Sequence, residues 1–63
     1  MDYIVTAIDS AGALSLKRDS AAAAIKKALE LLGDGCREVC ITDPEGRIYR
    51  HEDFGQLLAA DKT

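Results

Sequence analysis

One segment, residues 19–35, constrains the fold of this chain more than any other. At about 100° per residue, four of its apolar side chains fall on one line of a helix. These are Ala21, Ile25, Ala28 and Leu32, with Ala24, Leu31 and Leu29 beside them and Lys26, Lys27 and Glu30 opposite. An apolar arc of this width is typical of a helix that covers one face of a sheet.

The segment also carries signals for both of its ends. Asp19 or Ser20 can accept the first free backbone N–H groups as the N-cap. Gly33 suits the left-handed residue that follows a helix. We therefore predict a helix over about residues 20–32.

Short β-type segments surround this helix. Runs of β-branched and aromatic residues, or of alternating leucines, are separated by the turn sequences Asp9–Gly12 and Asp43–Gly46. The predicted strands are about 3–8, 13–17, 37–42 and 47–50, and a short helix over about 53–60 begins at Asp53 and carries Phe54, Leu57 and Leu58 on one face. The prediction is one α+β domain over residues 1–63 with the order ββαββ(α). Its antiparallel sheet has about four strands, with one main helix on one face and a short C-terminal helix.

The two halves of the chain are similar at an offset of 34 residues. The matched pairs are Val5 with Val39, Asp9 with Asp43, Gly12 with Gly46, Leu14 with Ile48, and Asp19 with Asp53. An internal repeat explains this pattern, and so does convergence between two hairpins that have the same type of turn.

Size and composition limit the classes of function. The chain has 63 residues, a net charge of −3 and an apolar fraction of 48%. These values are typical of a globular domain and give no electrostatic basis for strong nucleic-acid binding. No apolar run approaches the ~20 residues that cross a bilayer, and no secretion signal is present, so we expect a cytoplasmic protein and no membrane contact.

The residues that can carry chemistry are few. On one strand, Cys36 and Cys40 would face the same side roughly 13 Å apart, which is too far for a disulfide. With a single histidine they also make a poor zinc site, so we expect two small buried or half-buried thiols, or else a metal or disulfide site shared between molecules. His51 precedes Glu52 and Asp53, a pattern more typical of a helix start than of a general base. We predict no enzyme activity and no cofactor.

The sequence leaves two kinds of contact surface open. Both faces of the predicted sheet carry large apolar residues, and one helix covers only one of them, so the second face is either covered by the C-terminal helix or used for self-association. The interface residues we predict are Ile4, Ile8, Cys40 and Ile48. A weak nucleic-acid contact through Lys17, Arg18, Arg47 and Arg50 is the alternative, although nearby glutamates neutralise much of that charge.

The pattern Tyr-x-Val-x-x-x-Asp-x-x-Gly at residues 3–12, followed by an alanine-rich helix, resembles the hairpin–helix half of HicB-type antitoxins. The chain is also similar to short bacterial proteins classed as domains of unknown function. It lacks the Pro-Asp-x-Pro-Gly-Cys segment of that antitoxin family. From the sequence we expect a small protein that acts through protein–protein contacts, as a homodimer and with an unidentified protein partner. The resemblance implies an antitoxin-like or regulatory module as the alternative.

Overall fold

The fold is a four-stranded antiparallel sheet with two helices on one side. The computed structural model describes residues 2–61. In chain order the elements are β1 (Tyr3–Asp9), β2 (Gly12–Arg18), α1 (Ala21–Gly33), β3 (Arg37–Thr42), β4 (Ile48–Arg50), a 3₁₀ turn (His51–Asp53) and α2 (Phe54–Asp61). The strand order is β2-β1-β3-β4, and every neighbouring pair is antiparallel. This confirms the predicted α+β class and the ββαββ(α) order.

Both ends of α1 are capped. The Ser20 hydroxyl accepts a hydrogen bond from the Ala23 N–H at 3.2 Å. At the other end the left-handed residue is Gly35, with φ +90°, and the prediction of Gly33 in that role was wrong. Gly35 N–H donates to the Leu32 carbonyl, and the next N–H reaches one residue further back along the helix, as in a Schellman motif.

An aspartate side chain stabilises each hairpin turn by accepting backbone hydrogen bonds. Asp9 accepts two backbone N–H groups in the first turn. In the second, one Asp43 carboxylate oxygen accepts the N–H groups of Glu45 at 3.0 Å and Arg47 at 2.8 Å. Gly46 has φ +91°, and the backbone hydrogen bonds between Asp43 and Arg47 close around it, so this turn contains a G1 bulge. The second loop is therefore longer than the first.

The C-terminal helix begins differently from the prediction. The chain passes from β4 into a 3₁₀ turn, and Asp53, which we expected to cap the helix, is the last residue of that turn. Phe54 and Leu57 are buried, and Leu58 is half-buried, as their shared face predicts. The helix packs against α1 and β4, on the side of the sheet that α1 already covers.

The core lies between α1 and the sheet and is built from small side chains. Ala21, Ala24 and Ala28 are fully buried, whereas Leu29 is 49% exposed. The buried stripe of α1 is thus turned toward Ala24 and away from Leu29. The buried apolar residues are Val5, Ala7, Ala21, Ala24, Ala28, Leu31, Val39, Ile41, Phe54 and Leu57.

A bulge in β3 interrupts its pairing with β1. Glu38 has φ +52°, the one positive value at a non-glycine residue between residues 2 and 61. The register shifts between Thr6 and Ile8 of β1 at the same level. Cys36 lies ahead of β3 and packs against the core, whereas Cys40 lies beyond the bulge on the other side of the sheet. Both thiols are half-buried as predicted, but the prediction that they face the same side was wrong.

The central strands are paired with approximate two-fold symmetry. Thr6 lies opposite Cys40, its own counterpart at the offset of 34 residues. The symmetry would match the flanking pair Val5 with Ile41 by a pair Ala7 with Val39, and the bulge removes that second pair. Because the second loop is one residue longer than the first, β4 pairs with β3 in a register one residue away from that of β2 with β1.

We expect Ala28→Asp to unfold the protein. Ala28 has no exposed surface, and the substitution would place an unpaired carboxylate between α1 and the sheet. The matched control is Leu29→Asp, since Leu29 is half exposed on the same helix. Thermal unfolding followed by circular dichroism measures both. A melting temperature for Ala28→Asp close to that of the control would contradict this core assignment.

The positive φ at Glu38 gives a second prediction. A left-handed conformation costs a residue with a Cβ atom about 1 kcal/mol, and more when the side chain is β-branched. Open space surrounds the exposed Glu38, so we expect Glu38→Gly to be as stable as the parent or up to about 1 kcal/mol more stable. Glu38→Val should be less stable by ~1 kcal/mol or more. Urea unfolding of the three chains should give the order Gly, Glu, Val, and equal stability of Glu and Val would show that the backbone there relaxes.

Candidate interaction surface

The sheet has one face that neither helix covers. Strand pairing puts alternate residues on this side, which we call the open face. Its members are Ile4, Thr6, Ile8, Ala13, Ser15, Lys17, Arg37, Cys40, Thr42, Ile48 and Arg50. Of the two explanations for a second apolar face, cover by the C-terminal helix is excluded within residues 2–61, because α2 packs beside α1.

The open face is mixed at its periphery, where isoleucines lie beside the cations Lys17 and Arg50, and has small side chains at its centre. Thr6 and Cys40 lie opposite each other on the two central strands and are half-buried. Ile8 is 40% exposed and Ile48 is 67% exposed. All four residues of the predicted interface, the three isoleucines and Cys40, therefore share this one surface, which supports their selection without testing whether they contact a partner.

The open face is small in absolute terms. Four strands at a spacing of about 4.8 Å and six residues at about 3.3 Å per residue give a flat area of roughly 400 Å². That is about a tenth of the chain's accessible surface of 4276 Å². Two such faces packed together bury roughly 800 Å² if both are treated as flat, and the uneven surface of the side chains adds to this area. Stable interfaces bury about 1,200–2,000 Å². Any stable contact through this surface must use nearly all of it.

A depression opens at one end of the open face. Its volume is about 800 Å³, and it lies where the first hairpin, the β3 bulge and the 3₁₀ turn meet. It is lined by Thr6, Ala7, Ile8, Ala13, Leu14, Ser15, Leu32, Glu38, Val39, Cys40, Arg50, His51 and Glu52. Ile4, Thr42 and Ile48, at the opposite end of the face, take no part in it.

His51 lies at the rim of this depression. Its ring packs edge-on against Phe54, with centroids 5.9 Å apart and planes at 89°. An aromatic contact of this kind fixes the ring by its apolar edge rather than through a carboxylate. The residue therefore lacks the orientation that a general base takes from a neighbouring acid.

The four cations of the nucleic-acid prediction do not form one surface. Lys17 and Arg50 lie on the open face, but on its two outer strands, about 14 Å apart. Arg18 lies opposite Tyr3 on the helix side. Lys17 also lies 3.7 Å from the Asp2 carboxylate.

Arg47 belongs to a cluster at the tip of the second hairpin. A hydrogen bond with Tyr49, and the negative charges of Glu45 and Asp43, raise the pKa of its guanidinium. The Tyr49 hydroxyl donates to Asp43 at 3.5 Å, and its ring packs against the core. Arg47 and Tyr49 therefore lie together at the tip of this hairpin. Because the Tyr49 ring is half-buried against the core, it offers little free surface for a base to stack on.

Two further features bear on function. From residue 2 to residue 61, no group of three or more histidine, cysteine or acidic side chains is arranged to hold a metal ion. No helix in that range is long and apolar enough to cross a membrane.

Comparison with known proteins assigns no family to the chain, because no family model, curated protein or solved structure matches it. The resemblance to HicB-type antitoxins stays a prediction. The surface described above must therefore be interpreted from its own geometry.

Sequence reasoning missed part of this surface. Thr6 lies at its centre and Thr42 at one end of a central strand, and strand alternation with Ile4 and with Cys40 would have found them. The depression has no such signal, because it depends on a bulge at Glu38 that no glycine marks.

The placement of the cations predicts weak salt dependence of nucleic-acid binding. Each neutralised phosphate of a single strand contributes about −0.7 to the slope of log K against log salt. Because the open face carries only two of the four cations, with Arg37 as a third cation on it, we expect a slope no steeper than about −2.1 with single-stranded DNA. Filter binding over a range of salt concentrations measures it.

Two paired variants complete this test. Lys17→Glu with Arg50→Glu reverses two charges on the open face, and Arg18→Glu with Arg47→Glu reverses two elsewhere. A slope near −2.8, lost equally in both variants, would show that all four cations act together.

Proposed function

We propose that the chain is a small cytoplasmic interaction protein that forms a homodimer through its open face and has no catalysis of its own. The observation that carries the proposal is the side of the sheet that both helices leave uncovered and on which three isoleucines lie. On it Ile8 and Ile48 remain exposed beside a half-buried centre. Antiparallel sheets normally present polar residues to water on their second face, so exposed isoleucines there are typical of a contact surface.

A second copy is the occupant that the core favours. Four of the ten buried apolar residues are alanines, and only Ile41 and Val5 are large and fully buried. A chain of this length buries only about 60% of its unfolded surface and gains little stability from one core. Pairing two open faces would give each copy the second apolar layer that its own chain does not provide.

The edges of the sheet stay free in this arrangement. β2 forms one edge over seven residues and pairs only with β1. An extended segment of an unidentified protein partner can add to such an edge through backbone hydrogen bonds. The dimer would thus use the open face for itself and an edge for its partner.

We expect a molecular mass of two chains in sedimentation equilibrium at micromolar concentration. Ile48→Asp should shift the mass to that of one chain, because it places two carboxylates in the apolar contact. The fold of this variant should persist, since Ile48 is 67% exposed.

Leu29→Asp is the matched control, since it makes the same kind of change on the opposite side of the molecule. It should leave the mass at two chains. A mass of one chain for the parent would refute the homodimer. Loss of the dimer in Leu29→Asp but not in Ile48→Asp would move the interface to the helix side.

A further inference from the structure

β2 forms a long and regular edge of the sheet. It spans seven residues, contains no proline, and pairs only with β1 within residues 2–61. The other edge, β4, spans three residues and runs directly into the 3₁₀ turn and α2, which packs against it. Folded proteins commonly shorten, bend or charge their edge strands to prevent pairing. β2 carries charge only at its last two positions, Lys17 and Arg18, so most of its edge is open to a further strand.

The hydrogen bonds of the sheet identify which backbone groups of β2 are free. The Asp43 N–H donates to the Arg47 carbonyl at 2.9 Å, so the backbone groups of Asp43 point toward the β4 side of β3. Backbone groups of successive residues point to opposite edges of a strand. Carried across the three strand registers, this alternation directs the N–H and C=O groups of Ala13, Ser15 and Lys17 away from β1. An added antiparallel strand can therefore form two hydrogen bonds at each of these three residues.

An apolar shelf lies on the helix side of this edge. Leu14 and Leu16 point to that side and are half-buried. Leu32 of α1 lines the depression together with Leu14, so this flank of α1 lies over β2. Leu29, one turn earlier on the same flank, is 49% exposed, and α2 packs on the opposite flank over β4. We call Leu14, Leu16, Ile25, Leu29 and Leu32 the apolar shelf.

The end of β2 beyond the shelf is cationic. Lys17 is exposed on the open face, and its ammonium group lies 3.7 Å from the exposed Asp2 carboxylate. The Arg18 guanidinium donates to the Lys17 carbonyl at 2.6 Å, which is one of the outward groups. Exposed contacts of this kind stabilise by less than about 1 kcal/mol, so both cations can exchange them for a carboxylate of a bound strand.

These features specify the side chains of a strand that fits the edge. Residues opposite Leu14 and Leu16 face the shelf, so large apolar side chains suit them. The residue opposite Ser15 faces the open side, where a polar side chain stays in water. Residues opposite Lys17 and Arg18 lie beside two cations, so acidic side chains suit them. In an antiparallel strand these acidic residues lie at the N-terminal end.

A second copy of β2 matches the edge less well. Because α1 contacts β1 and β3 to the same extent, its axis lies about midway above these two strands. Pairing two β2 edges would hold the two α1 axes roughly 19 Å apart, whereas packed helices lie about 8–10 Å apart. Leu29 of each copy would stay exposed between them. A separate segment can instead place an aromatic side chain beside Leu29.

We therefore propose that the β2 edge binds an extended segment of the protein partner as an antiparallel fifth strand. Acidic residues at the N-terminal end of this segment lie beside Lys17 and Arg18, and large apolar residues at alternate positions lie on the apolar shelf. This inference rests on the proposed use of a sheet edge by a partner, and it specifies the edge, the direction and the chemistry of the segment.

A pair of N-methylated peptides tests the hydrogen bonds of this site. The probe is acetyl-Glu-Glu-Leu-Thr-Phe-Thr-Ser-amide with methyl groups on the nitrogens of its leucine and phenylalanine, whose N–H groups would point away from β2. The matched isomer carries the two methyl groups on its threonines, whose N–H groups would donate to the carbonyls of Ser15 and Ala13. Fluorescence anisotropy of the labelled peptides with the full chain measures binding. We expect the isomer to bind at least about tenfold more weakly, because it loses two hydrogen bonds.

Two variants of the chain locate the site. Leu29→Asp puts a carboxylate on the apolar shelf and should weaken binding of the probe about fivefold or more, because it removes apolar contact and repels the acidic peptide. The fold should persist, since Leu29 is half exposed. Ile48→Asp is the matched control on the open face, and it should leave binding of the probe unchanged.

The outcomes separate the edge site from the homodimer. Equal binding of the two isomers, or binding that Leu29→Asp leaves unchanged, overturns the edge site, while a mass of two chains keeps the homodimer. A mass of one chain for the parent with the probe still bound refutes the homodimer alone. A mass of two chains for Ile48→Asp that falls to one on addition of the probe shows that a second copy occupies the edge, and this also overturns the edge site for a partner.

Discussion

The contact between α1 and the two central strands determines the rest of the structure. Ala21, Ala24 and Ala28 of α1 have no exposed surface, and they lie against a layer in which Val5 and Ile41 are fully buried. A helix surface made of methyl groups approaches a sheet closely, because nothing longer holds the two layers apart. The same choice limits what the core can contribute, since alanine buries little apolar area. The chain gains close packing on one face and is left with little apolar burial elsewhere.

The symmetry of the sheet follows from this contact. α1 contacts β1 and β3 to the same extent, and it contacts β2 less. These two central strands pair about the Thr6–Cys40 position as though each half of the chain were a copy of the other. The outer strands depart from that relation because the second turn holds Pro44, Glu45 and Gly46 between paired residues. One added residue reverses which side chains face the helices. Leu14 consequently lies on the core side, and Ile48, its counterpart in the sequence, lies on the open face.

Periodicity predicted what depends on local pattern. The class, the element order and the faces of β1 follow from alternation and from the alanine-rich stripe, and the G1 bulge follows from Pro44 and Gly46. The predictions that were wrong concern features that depend on non-local geometry. Gly33 and Gly35 are equally good stop signals in sequence, and only the hydrogen bonds at the helix end choose between them. The prediction that the two cysteines face the same side was wrong because the β3 bulge depends on a left-handed Glu38, which has no signature in the sequence. The four interface residues came together because each obeys strand alternation.

The uncovered face and the limited core are two aspects of one constraint. The sheet has two sides that carry large apolar residues, and the helices described between residues 2 and 61 cover one of them. If folding depends on a second copy for the other side, stability and association become a single equilibrium, and the folded fraction falls on dilution. Ile48 then has a role that its exposure in one chain conceals. Its cost in the isolated chain is an apolar side chain in water, and its contribution appears only when a second copy covers it.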